Sequence, residues 1–105
     1  MDLYLGESIN ETNLNSSCVE VSDDLLDYLS IISKRYALDI SAITSIDPYG
    51  DEVISSDKIE ALYNMSQTLI QLDVFDFQYL EMLTNLKIIT KEAIDRKCNI
   101  ISIGD

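Results

Sequence analysis

Three stretches of this chain repeat apolar residues at helical spacing, and that periodicity restricts the fold more than any other feature. In "SDDLLDYLSIISKRY", Leu25, Leu29, Ile32 and Tyr36 fall on one stripe. Ser22 stands before it as a candidate N-cap, with Asp23 and Asp24 in the first turn and Lys34 and Arg35 in the last, each suited to the helix dipole. In "SSDKIEALYNMSQTLIQL" the stripe runs through Ile59, Leu62, Tyr63, Ser66, Leu69 and Ile70. Asp57 with Glu60 three residues later resembles a capping box, and Ser56 is an equal candidate for the cap. The longest helix is expected from about Asp76 to near Lys97, with Tyr79, Met82, Leu83, Leu86, Ile89 and Ala93 on one face.

Between and around these helices the period changes. "DLYLGESI" and "CVEV" alternate as short strands do, with the polar loop "NETNLNSS" between them. "CNIISIGD" is a β-branched run that reads as a further strand. "ALDISAITSI" is too apolar to be exposed and too short for its period to assign. The expected fold is α+β: three amphipathic helices packed on a small antiparallel sheet of short N- and C-terminal strands. With 105 residues, no repeat and no linker, residues 1–105 read as a single domain.

Charge then narrows the function. Nineteen acids face seven bases, a formal −12, and histidine is absent. Such a field repels nucleic acid and anionic membrane and favours a basic protein partner. Without histidine there is no Ser-His-Asp triad, no Cys-His pair and no HExxH zinc site. Gly6, Gly50 and Gly104 lie too far apart for a phosphate-cradling loop. A glycosidase-type carboxylate pair needs an aromatic-lined cleft, and the chain has no tryptophan. A calcium loop counted from Asp47 would place Tyr49 third and Lys58 twelfth, which fails. The reading is therefore no enzyme, no cofactor, no metal and no small-molecule substrate. The start "MDLYLGES" lacks the basic and apolar regions of a secretory signal, so the cytosol is expected, with Cys18 and Cys98 as buried thiols.

"SIDPYGDEVISS", residues 45–56, holds the only proline. Asp47-Pro48-Tyr49-Gly50 suits a type I turn position by position. A corner needs Asp, Pro and Gly; it does not need Tyr49 at its tip or Asp51 and Glu52 after it. Tyr49 either anchors a partner from a rigid loop or folds inward to cap the core. The candidate binding residues are Asp47, Tyr49, Asp51 and Glu52, together with Asp23, Asp24 and Asp27, which lie off the first helix's stripe.

The same residues carry a resemblance. "SIDPYGDEVIS", a following amphipathic helix pair and the closing "IGD" resemble small acidic bacterial immunity proteins of polymorphic toxin and contact-dependent inhibition systems. Ile46, Asp47, Pro48, Tyr49, Gly50, Asp51 and Val53 match that group's loop; Glu52 replaces its usual threonine, and Ser55 and Ser56 stand in place of Phe-Asn. The resemblance implies a protein that neutralises the C-terminal domain of a cognate toxin and has no catalytic residue. A basic, nuclease-type toxin fits the charge. The other reading that composition leaves open is an acidic adaptor or regulator of another basic protein.

Overall fold

The computed structural model describes residues 1–6, 18–73 and 75–104. In chain order it contains β1 (Asp2–Gly6), β2 (Val19–Glu20), α1 (Asp23–Tyr36), α2 (Ser41–Thr44), β3 (Glu52–Ile54), α3 (Ser56–Gln71), α4 (Phe77–Arg96) and β4 (Asn99–Ile103). This is the expected α+β class. The loop expected at "NETNLNSS" and the last three residues of the strand expected at "DLYLGESI" lie outside the described residues.

One antiparallel sheet runs in the order β2-β1-β4-β3. β4 is central, pairing Ile103 with Asp2 on one side and Ser102 with Glu52 on the other. Its β-branched run suits that place: Ile100, Ile101 and Ser102 are all buried, although successive side chains point to opposite faces. β3 was not foreseen, because three residues carry no readable period of their own. Val53 pairs with Ile101 and Ile54 with Ile100, so long-range pairing makes the strand.

The helices bury the stripes that their sequences display. Leu25, Leu29 and Ile32 are buried on α1; Ile59, Leu62, Met65, Ser66 and Leu69 on α3; Leu83, Leu86, Ile89, Thr90 and Ala93 on α4. The buried hydroxyls are satisfied locally or by sulfur. Ser66 donates to the Tyr63 carbonyl at 2.9 Å, Thr90 to the Leu86 carbonyl at 2.9 Å, and Ser102 to Met1 Sδ at 3.5 Å.

Three details differ from the sequence reading. Tyr36 continues the α1 stripe but is exposed, because the helix ends there and the chain turns at Ala37. The N-cap position of α3 is Ser55, not Ser56 or Asp57, and no side chain caps the helix. β3 ends at Ile54, which fixes the corner at the next residue. Cys18 is exposed rather than buried, at the foot of edge strand β2; Cys98 is partly buried. The Tyr4 hydroxyl is held above its ordinary pKa, first by its hydrogen bond with Cys18.

Ser22 does cap α1: the Leu25 amide donates to its Oγ at 3.1 Å. At the other end Ala37 adopts φ 53°, ψ 48°, while the Leu38 amide donates to the Ser33 carbonyl at 2.9 Å. That left-handed position favours glycine, since any Cβ there crowds the neighbouring carbonyl. Ala37→Gly is therefore expected to stabilise the fold by roughly 0.5–1 kcal/mol, the balance of relieved strain against a looser unfolded chain. Denaturant melting of the two proteins checks it, and a lower midpoint would count against this account of the cap.

Candidate partner-binding surface

The turn after α2 is built by its own side chains. Asp47 Oδ1 accepts the Tyr49 amide at 2.9 Å, the bond through which aspartate imitates a backbone turn. The Asp47 amide donates to Glu52 Oε1 at 3.2 Å, and Glu52 Oε2 lies 3.7 Å from Lys58 Nζ. A Cβ on Gly50 would stand 2.8 Å from Asp47 Oδ2, so the small residue lets the aspartate fold over the turn. Pro48 is half-buried beneath.

A second segment completes the unit. The Gly104 amide donates to Asp51 Oδ1 at 2.9 Å, bridging 53 residues of sequence. A Cβ on Gly104 would fall 2.3 Å from the Tyr49 carbonyl carbon and 2.5 Å from the Gly50 nitrogen. The turn's backbone therefore lies directly on the residue that follows β4, an approach only glycine permits. Sequence reasoning named both segments and saw no link between them. The signal was there, an isolated Gly at the end of a strand, which marks a close backbone approach.

With its backbone pinned, the turn holds Tyr49 outward, 70% exposed. Of the two orientations left open by the sequence, the ring takes the outward one. The acids divide in role. Asp47 and Glu52 each spend one oxygen on an amide of the turn itself, and Asp51 spends one on the Gly104 amide. Asp47 and Asp51 remain exposed, and Glu52 is partly covered beside Lys58.

Sheet register then collects further carboxylates at the same end. Asp2 pairs with both Glu20 and Ile103, and Glu52 pairs with Ser102. The Val21 amide and the Met1 carbonyl extend the β1-β2 pairing by one bond at 2.9 Å. α1 leaves from there, with Asp23, Asp24 and Asp27 exposed. The α1 start and the Tyr49 turn thus flank one end of the sheet, separated by three strand spacings, about 14 Å. Asp2 and Glu20 join this rim although periodicity gave no reason to single them out.

No other arrangement among the described residues competes as a site. Two shallow grooves, of about 540 Å³ between the α2 segment and α3 and about 600 Å³ along α3 and α4, hold no cysteine or histidine, and the hydroxyl–carboxylate pair in the first, Ser41 with Asp39, lowers the Asp39 pKa and so makes it a poorer base. In the second, Lys91 is paired with Asp95 at 3.0 Å and Arg96 with Glu92 at 2.8 Å. No group of three acids or cysteines among the described residues has metal-binding geometry. No helix among them is long and apolar enough to cross a membrane. No family model, curated protein or solved structure matches this chain.

Proposed function

We propose that this protein is an immunity protein: a cytosolic, non-enzymatic binder that neutralises the basic C-terminal domain of a cognate bacterial toxin. The observation that carries the reading is the contact of the 47–52 turn with Gly104. Two of the segments that carry the family resemblance form one physical unit, and its outcome is an exposed tyrosine on a pinned turn among carboxylates. Rigidity lowers the entropy lost on binding, and an aromatic on a fixed loop is a favoured anchor. The carboxylates along the sheet end would occupy ground that substrate phosphates take on a nuclease. The net charge of −12 supplies long-range attraction to such a partner.

Co-expression tests it: the chain should restore growth to cells producing the toxin domain encoded by the gene immediately upstream of its own, and the two should copurify. Continued growth arrest despite abundant folded protein would sink the reading. For a pair that does bind, the association rate should fall by at least about tenfold between low and physiological salt, with a smaller change in dissociation. Stopped-flow mixing reads both constants, and an association rate indifferent to salt would remove charge steering from the account.

A further inference from the structure

α4 commits one side to the core and leaves the other in water. Leu86 and Ala93 lie on the buried side. Opposite them stand Phe77, Glu81, Thr84, Ile88, Lys91 and Asp95, all exposed. Steps of four and three residues alternate along this stripe, the seam spacing of helices that pair along their length. The stripe is about 27 Å long. Phe77 is 81% exposed and Ile88 58%, large apolar side chains for which the fold itself has no use.

Reversed end for end, the stripe is its own complement. A second α4 related by a two-fold axis at the level of Leu86 sets Glu81 opposite Lys91, Thr84 opposite Ile88 and Phe77 opposite Asp95. Each pairing then occurs twice, as a self-complementary contact requires. Lys91 is held by Asp95 at 3.0 Å and keeps donors for a second carboxylate. Ile88 enters beside Thr84, at the groove of about 600 Å³ that Tyr63 of α3 borders. Phe77 lies along the last turns, where the stems of Lys91 and Glu92 give apolar cover. Lys87 comes near its own copy beside the axis, a like-charge contact that keeps the pairing weak. A parallel pairing would set Glu81 on Glu81 and Lys91 on Lys91. A uniformly charged partner, nucleic acid or basic protein, matches only part of the stripe.

We propose that the outer face of α4 binds a second copy of this chain, as an antiparallel helix pair about a two-fold axis. The proposal stands on α4 alone and does not rest on the immunity reading. One helix against another falls below the standard interface size, so the dimer assembles only at high protein concentration. At physiological salt the net negative charge of each copy is screened beyond about 8 Å, while the opposed Glu81–Lys91 pairs act at contact.

Sedimentation of the full chain at physiological salt, from about 10 μM to about 1 mM, should show monomer giving way to dimer. Glu81→Lys should weaken dimerisation by about tenfold or more, since it sets lysine against lysine twice. That variant is also less negative overall, so net charge alone would make it associate more tightly. Lys91→Glu should weaken the dimer likewise. Glu81→Lys combined with Lys91→Glu restores the wild-type net charge with the pair reversed, and should recover most of the lost affinity. Melting temperatures should stay close to wild type throughout, because both positions are exposed. In a mixture of labelled and unlabelled copies, isotope-filtered NMR should place the Phe77 ring near residues 91–95 of the other copy. A monomer at every concentration, a Glu81→Lys protein that dimerises as well as wild type, or a double variant no better than the single ones would overturn the proposal. Because no toxin domain is used, the outcome is independent of the growth-protection experiment.

Discussion

Gly104→Ala should cost about 1–3 kcal/mol of stability, the range for forcing extra volume into a closed contact. The added methyl would meet backbone atoms of Tyr49 and Gly50 between 2.3 and 2.7 Å away, and backbone cannot swing aside as a side-chain tip can. The strand end and the turn must separate, and the Gly104–Asp51 hydrogen bond at 2.9 Å is lost with the contact. Chemical denaturation measures the cost. NMR of the variant should show the disturbance at residues 47–52, distant in sequence and adjacent in space. Partner affinity should fall as well, because a loosened turn presents Tyr49 in many orientations rather than one. Wild-type stability in the variant would show that the turn does not rest on Gly104.

Tyr49→Ala should do the reverse, leaving folding intact and damaging recognition. The ring is 70% exposed, so its removal opens no cavity, and a stability change within about 0.5 kcal/mol is expected. Loss of an interface anchor is worth about 2 kcal/mol, roughly a thirtyfold weaker complex. Calorimetric melting and a titration with the partner read the two quantities separately. Charge reversal at Asp51 is a less clean probe than its sequence position suggests. Its carboxylate holds the Gly104 amide, so Asp51→Lys would disturb the turn as well as repel a basic partner. A Tyr49→Ala protein that melts early and binds normally would make the turn a structural corner only.

How much of this was legible in the sequence depended on the range of the interactions involved. The stripes Leu25/Leu29/Ile32 and Leu83/Leu86/Ile89 are local patterns, and both helices stand close to where periodicity puts them. Ser22 is legible for the same reason, since a cap acts across three residues. β3 was not legible: Val53 and Ile54 become a strand through β4, nearly fifty residues away, and the strand's end puts the N-cap of α3 at Ser55. At the candidate site, charge and turn chemistry pointed to residues 47–52. The direction of the Tyr49 ring was decided by Gly104, and nothing in the turn's own sequence encodes that contact. The gathering of Asp2 and Glu20 beside it is a matter of strand register, which composition does not reveal.

The sheet order β2-β1-β4-β3 has a kinetic consequence. The first and last strands in sequence are neighbours at its centre, with Asp2 opposite Ile103. α3 and α4 can form and pair early because their contacts are local, whereas the sheet needs closure of a loop that spans almost the whole chain. Refolding should therefore show helix signal growing ahead of tertiary protection in β1 and β4. Until β4 slots between its two partners, β3 has nothing to pair with and the Tyr49 turn has no floor. Recognition would then be the last property this protein acquires as it folds.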